Sequence, residues 1–484
     1  MSYNGTFYWY DYETFGADAR IDRISQFAGI RTDADLNIIG EPDMFYCAQA
    51  EDYLPDPIAC LVTGITPQQA NREGLNEVEF ARRVNDRFSE PGTCVLGYNS
   101  IRFDDEFTRN LFYRNFIDPY AREYKNGNSR WDLIDVVRLT HALRPEGINW
   151  PKKEDGSVSF RLEELTVANG ITHENAHDAL SDVYATIAMA KLIKERVPKL
   201  FDYAFSLRQK QKVLEVLAVG SNKPVLHISS MFGADRGCMA LVLPLCADQT
   251  NANAVHSIEL SFDPDELEGL TAEQIQQRVF TSQQELDEKF GGVSRIPLKS
   301  IHANKSPMVV AAKMMTEDLA SKWGHDLGVC RANWKKWQSK AHLIPIIQQA
   351  LGYNGAEETD VDRMIYGGFF PRKDKETMDY IGRSDIEQLD PNSFSFQDVR
   401  CPELLFRCRA RSFPDALNDE ERIKWEQHKY RAVMEEGYGA PRCLANYPEL
   451  LNKAHLEFQD RADAQFLLEE LMLYAQSIAP FDSY

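Results

Sequence analysis

The stretch from Thr6 to Gly16, TFYWYDYETFG, constrains this chain more than any other. Its alternating and aromatic residues read as a β-strand, and a glycine closes it. Strand side chains two apart share a face, so Asp11 and Glu13 are held side by side. Like charges at that spacing repel, and each raises the pKa of the other. A divalent cation relieves the repulsion, because hard cations prefer carboxylate oxygens. Taken alone, the pair also fits a solvated strand end. What decides between the two is whether later parts of the chain supply partners.

At 484 residues the chain suggests roughly three domains. Its content of 43% hydrophobic and 11% aromatic residues belongs to ordinary globular proteins and excludes disorder. There is no apolar run long enough to cross a bilayer, and the N-terminus enters a strand almost at once, with no secretory signal. Nine dispersed cysteines match neither a zinc site nor a disulfide framework and fit a reducing cytoplasm. A net charge of −20 argues against coating nucleic acid by bulk attraction. It leaves room for a nucleic-acid enzyme with a local basic groove and bound metal ions.

After the first strand, IDRISQFAGIRTD and LNIIGEPDMFYC read as two more strands of a meander. Val78, Ala81, Val84 and Phe88 recur at helical spacing, TCVLGYNS is a buried strand, and FDDEFTRNLFYRNF is a helix. RWDLIDVVRLTHAL reads as a helix throughout. The polar stretch 149–158 reads as a loop, and SFRLEELTVANGI as a short helix with Ser159 as N-cap. HDALSDVYATIAMAKLIKERV is a long helix stopped by Pro198. Together these predict an α/β domain over 1–197. From Pro224 to Ala311 the chain is β-rich, with PVLHISSMF, CMALVLPLC, AVHSIELSF, IPLKSIHA and MVVAA as short strands suggesting a small barrel over 198–347. The remainder, 348–484, is almost wholly helical, with apolar stripes and charged outer faces.

Partners for the first two acids follow in order. Asp104 opens the helix after VLGYNSIRF, where the helix dipole favours a carboxylate. Asp182 lies in the first turns of the long helix, and His177 precedes it, with the side chain best suited to moving a proton near neutral pH. Each has a plain alternative: a cap for Asp104 (Asp105 would serve equally) and a surface position for His177. Jointly, D-x-E on a first strand, F-D at a helix start and H-x-x-x-x-D on a later helix form the ordered motif set that resembles the DEDDh exonucleases. YDYETFG, LGYNSIRFDDEFTRN, NSRWDLIDVVRL, FRLEELTVANGI and AHDALSDVYATIAMAKL look like the bacterial exodeoxyribonuclease I family, as do PVLHISSMFGADRG, IHANKSPMV and MIYGGFF.

That resemblance runs over nearly the whole chain. It implies a ribonuclease-H-like α/β exonuclease domain, a small β-rich SH3-like barrel domain and a C-terminal all-helical domain. It implies 3′–5′ hydrolysis of single-stranded DNA to 5′-mononucleotides, in DNA repair and recombination. The expected mechanism uses two Mg²⁺ ions, with Mn²⁺ as a substitute, held by Asp11, Glu13, Asp104 and Asp182, and His177 as the base.

A strand path requires aromatic stacking and cations. The stretch 109–144 is rich in both, His141 among them, and the resemblance favours Arg109, Tyr120, Tyr124 and Arg138. Arg161 is a candidate for a phosphate, and Phe15 for a wedge against the terminal base or else for core packing. A second run, Lys299–Lys340, sets eight cations against Glu317, Asp318 and Asp326, with Trp323, Trp334 and Trp337 interleaved. It closes a groove over DNA or docks a partner. The resemblance implies that partner to be the acidic C-terminal tail of single-stranded-DNA-binding protein, with Arg144 and Tyr203 contributing. A cytoplasmic, nucleoid-associated monomer is expected, with no membrane contact. The rival readings are an exoribonuclease of the same superfamily and an inactive module that recruits partners to single-stranded DNA.

Overall fold

The computed structural model describes residues 3–172, 178–352, 358–438 and 441–480. Along the chain come β1 (Thr6–Thr14), β2 (Ile24–Thr32), β3 (Asp43–Tyr46), α1 (Pro57–Thr63), α2 (Pro67–Glu73), α3 (Glu77–Ser89), β4 (Thr93–Gly97) and α4 (Asp104–Arg114). They are followed by β5 (Ser129–Asp132), α5 (Leu133–Leu143), α6 (Leu162–Ala168) and α7 (Ala179–Arg196). Packing divides the chain into two compact units. One holds residues 1–129, 173–187 and 357–484; the other holds 130–172 and 188–356.

In the first unit the strands lie in the order β3-β2-β1-β4. β2 runs antiparallel to β1, with Asp11 opposite Ala28 and Glu13 opposite Gln26, and β4 runs parallel to β1. Tyr8, Tyr10 and Tyr12 alternate onto one face of β1. They join Phe27, Phe45, Phe80, Val84, Phe88, Phe107 and Leu111 in a buried core. The period of two therefore leaves Asp11 and Glu13 on the opposite face.

The meander and the helices at 77–89 and 104–114 lie where periodicity puts them. Other elements differ. LNIIG is not a strand beyond an isolated bridge from Thr32 to Ile38, so β3 starts only at Asp43. α1 and α2 escape a periodicity reading because each has seven residues, although a proline at the first turn and a capping Asp56 or Thr66 mark both starts. RWD extends as β5, and Asp132 caps α5 by accepting from the Ile134 amide. α6 begins at Leu162 with no side-chain cap; Ser159 is not its N-cap and instead accepts from the Arg161 amide at 3.4 Å.

The C-terminal helices belong to the same unit as β1. Tyr113 and Phe116 pack with Ile381, Leu404, Leu405 and Cys408. Tyr53, Leu54 and Leu61 pack with Tyr447, Leu467, Leu471 and Tyr474. Buried charge ties the same segments. Arg411 reaches Asp52 at 2.8 Å and Asp362 at 2.6 Å, while Arg407 reaches Asp362 at 2.9 Å.

In the second unit β6 (Val225–Ile228), β7 (Met239–Ala247), β8 (Ala254–Glu259), β9 (Leu298–His302) and β10 (Met308–Ala311) form an antiparallel sheet in the order β10-β6-β7-β8-β9. Leu243, Ile258, Ile275, Ile296, Trp337 and Ile347 form its core with the flanking helices. No helix among the described residues is long and apolar enough to cross a membrane.

Candidate active site

The site begins on β1. Tyr10 and Tyr12 are drawn into the aromatic core, and this turns Asp11 and Glu13 together toward α7. Asp182 stands in the first turn of α7, its amide bonded to the Asp178 carbonyl at 3.0 Å. Asp11, Glu13 and Asp182 each offer an oxygen, and these oxygens lie within 4.8 Å of one another.

Asp104 is not in that closest group, but its charge acts on it. It is the buried first residue of α4, whose N-cap position is taken by Phe103 without a side-chain bond. Asp104 is therefore not a capping residue. Burial pushes the Asp11 carboxyl well above the usual range, and Asp104, Glu13 and Asp182 push it further. Burial also pushes Glu13 up, to about 9, with Asp182, Asp104 and Asp178 adding to it. Asp178 is a neighbour the motif did not include, although its place directly after His177 is a signal the sequence offers.

For Asp11 and Glu13 the leading influences are burial and the charges of neighbouring carboxylates, so the acids of this site crowd one another. That donor set is all oxygen and suits a hard divalent cation. His177 lies outside the described residues.

The expected strand contacts fare differently. Phe15 is wholly buried in the core with Tyr53, Leu61 and Leu471, so the packing alternative replaces the base wedge. Arg109 is also buried, and its guanidinium is committed. It donates to Glu106 at 2.9 Å and to Glu123 at 2.9 and 3.1 Å, and it lies 5.2 Å from the Tyr120 ring centre. Tyr120 is half-buried and Tyr124 is 63% exposed. Of this group, Tyr124 presents the most open ring.

The remaining candidates lie in the second unit. Arg138 is buried, donates to Asp135 at 2.7 Å and sits 5.8 Å from the Phe160 ring. His141 is enclosed by Trp150, Phe160 and Trp323. Burial pushes its pKa down to about 4, so the ring is neutral at pH 7. Both are core members in this structure rather than open contacts. Arg161 is exposed, 3.8 Å from Glu164. Arg144 is exposed, and the Tyr203 hydroxyl donates to the Val309 carbonyl at 2.8 Å.

The Lys299–Lys340 run loses much of its excess charge on folding. Lys336 meets Asp263 at 2.5 Å and Asp265 at 2.8 Å, and Lys340 meets Asp265 at 2.7 Å and Glu268 at 2.6 Å. Arg331 pairs with Glu317. Trp337 is buried, and Trp334 donates to the Asn222 carbonyl at 2.8 Å.

Three family models match the chain: Exonuclease over residues 8–190, Exonuclease I SH3-like domain over 208–353, and Exonuclease I C-terminal domain over 359–478. The chain is 48% identical over 426 residues to exodeoxyribonuclease I of Haemophilus influenzae, covering 88% of this chain and 90% of that protein. It is similar to the crystal structure of E. coli exonuclease I in complex with a dA16 oligonucleotide, with 43% identity, a TM-score of 0.92 and coverage of 98% of this chain and 100% of that one. It also matches the zinc-ion-bound form of the E. coli exonuclease I–single-stranded DNA complex, with 43% identity, a TM-score of 0.91 and coverage of 98% and 99%.

Proposed function

The chain belongs to the exodeoxyribonuclease I family, and from that membership and the site's geometry we propose that it is a 3′–5′ exonuclease of single-stranded DNA. The convergence of Asp11, Glu13 and Asp182, under the charge of Asp104, carries the reading. These residue types answer a specific chemical need. Hydrolysis of a phosphodiester builds negative charge on a group already anionic, and four carboxylates, two of them buried, oppose that unless cations stand between.

Asp11, Glu13, Asp104 and Asp182 would hold the metal, two Mg²⁺ ions with Mn²⁺ as a substitute. When bound, such ions lower the pKa of a water and offset charge on the phosphoryl oxygens. The carboxylates, through the metal they would hold, fix where the scissile phosphate sits. His177 takes the proton of the attacking water, the new oxygen–phosphorus bond forms as the bond to the 3′-oxygen breaks, and that oxygen takes a proton from solvent as it leaves. A 5′-mononucleotide is released and the shortened strand carries a new 3′-hydroxyl.

Within this proposal the chain is organised as an exonuclease segment 1–197, an SH3-like segment 198–347 and a helical segment 348–484. Tyr120, Tyr124 and Arg161 remain candidates for the strand path. Arg144 and Tyr203 remain candidates for the acidic tail of single-stranded-DNA-binding protein. The setting is cytoplasmic DNA repair and recombination, with the protein acting as a nucleoid-associated monomer.

The test is incubation with end-labelled single-stranded DNA, double-stranded DNA and RNA, with and without Mg²⁺. The expected result is stepwise loss of 5′-mononucleotides from the 3′ end of single-stranded DNA only, in the presence of metal. Equal turnover of RNA, or turnover in chelator, overturns the reading.

A further inference from the structure

The face of β1 that carries no site carboxylate is fastened to α4 by a buried polar set. The Tyr10 hydroxyl donates to Asp105 Oδ1 at 2.8 Å, and Arg122 Nη2 donates to the same oxygen at 2.6 Å. Two residues along the strand, the Tyr12 hydroxyl meets Thr108 Oγ1 at 3.0 Å, and Thr108 Oγ1 donates back to the Asp104 carbonyl at 2.9 Å. Tyr10 and Tyr12 flank Asp11, and Asp105 and Thr108 follow Asp104 on one helix face. Two of the three elements that present site carboxylates, β1 and α4, are thus joined, register to register, by groups other than those carboxylates.

The Asp105–Arg122 pair is an unusual choice for that join. The Arg122 side chain is 0% exposed and that of Asp105 2%. The guanidinium lies 5.1 Å from the Phe88 ring centre, and its Nε and Nη1 have no hydrogen-bond partner among the described residues. Burying a charge pair with donors left over costs more than filling the same space with apolar side chains. Stability alone therefore does not account for it. A salt bridge does what apolar packing does not: it fixes direction, and here it fixes Asp105, and with it the start of α4, against a particular tyrosine of β1.

We infer that Asp105 and Arg122, acting with Tyr10, are positioning residues that set the distance of Asp104 from Asp11 and Glu13. They touch neither substrate nor metal; their effect passes through the backbone of α4. The inference rests on the proposed metal site and deepens it.

The experiment is Mn²⁺ binding by calorimetry to the full chain without DNA, beside the Mn²⁺ dependence of oligonucleotide hydrolysis. Three variants are compared with the parent: Asp105→Asn combined with Arg122→Met, Tyr10→Phe, and Asp11→Asn. The double variant removes both charges while leaving Tyr10 an acceptor, so it is expected to melt close to the parent. Its Mn²⁺ affinity is expected to fall by about tenfold or more, the usual consequence of losing an outer partner of a metal ligand. Tyr10→Phe, which keeps the ring packing, should shift affinity in the same direction by less, with KM for a short oligonucleotide unchanged in both. Parent-like Mn²⁺ affinity in the double variant and in Tyr10→Phe, while Asp11→Asn abolishes binding, overturns the positioning role and leaves the metal site standing. Undiminished binding by Asp11→Asn overturns the metal site and the inference with it.

Discussion

Asp182 on α7 and Glu13 on β1 offer carboxylate oxygens within 4.8 Å of each other, and the charge of Asp182 is the strongest influence on Glu13 after burial. Asp182→Asn removes a like charge from a buried cluster. In metal-free protein it should raise stability by ~1 kcal/mol or more, the value of one unit of relieved pKa shift. Metal-dependent hydrolysis should fall by more than about a hundredfold, beyond the loss that an outer partner causes. Chelator-treated melting curves and initial rates on the same preparation test the opposite signs together.

Metal addition should then do the reverse of charge crowding. A cation that binds the folded site and not the unfolded chain stabilises by mass action, by about 2.7 kcal/mol at a hundredfold excess over Kd. Tm should climb with Mg²⁺ or Mn²⁺ in the parent and stay flat in Asp11→Asn. A rise of equal size in both proteins would place the bound ion elsewhere.

The Asp52–Arg411 contact makes a separate prediction about pH. Burial pushes the Asp52 carboxyl up, but Arg411 and the bond from His428 pull it down further, so it rests well below the ordinary carboxylate range. Its folded pKa lies below its unfolded value of about 3.9, so the stability it contributes is present above that pH. That contribution is lost as the pH falls toward the folded pKa. Asp362, held down between Arg411 and Arg407 against its own burial, acts in the same sense. Arg411→Met leaves Asp52 with His428 and Asp362 with Arg407, and should cost ~3 kcal/mol, the lower end for breaking a buried pair. Denaturant melts of parent and variant should converge as the pH is lowered below about 4.

Phe15 distinguishes core from contact. Its ring is wholly buried, so Phe15→Ala should cost ~3–5 kcal/mol of stability. KM for a short oligonucleotide should be nearly unchanged once the folded fraction is counted. A large rise in KM with a small loss of stability would return Phe15 to the strand path.

Lys336 and Lys340 are already paired with acids of the 263–268 stretch. Converting both to Gln should change the slope of log KM against log salt by less than about one unit, because no phosphate contact is lost. A drop of about two would mean that both leave their acids to meet DNA.

Much of the site was legible along the chain, because what makes it is local. An alternation of two put Asp11 and Glu13 on one face of β1, and the starts of two helices put Asp104 and Asp182 where a carboxylate is favoured. The five strands of the second unit and the amphipathic C-terminal helices were legible for the same reason: period and turn chemistry act over a few residues.

Tertiary structure decided what each charge and ring faces, since pairing in space ignores distance along the chain. Arg109 is tied up by Glu123, the Lys336 and Lys340 charges are met by acids some seventy positions earlier, and Phe15 is covered by helices from the far end of the chain. The same holds for Arg122, a cation of the 109–144 stretch that folding buries against Asp105. Local periodicity determines which side of an element a residue takes. Only the packing of distant elements determines whether that side meets solvent, a counter-charge or the core.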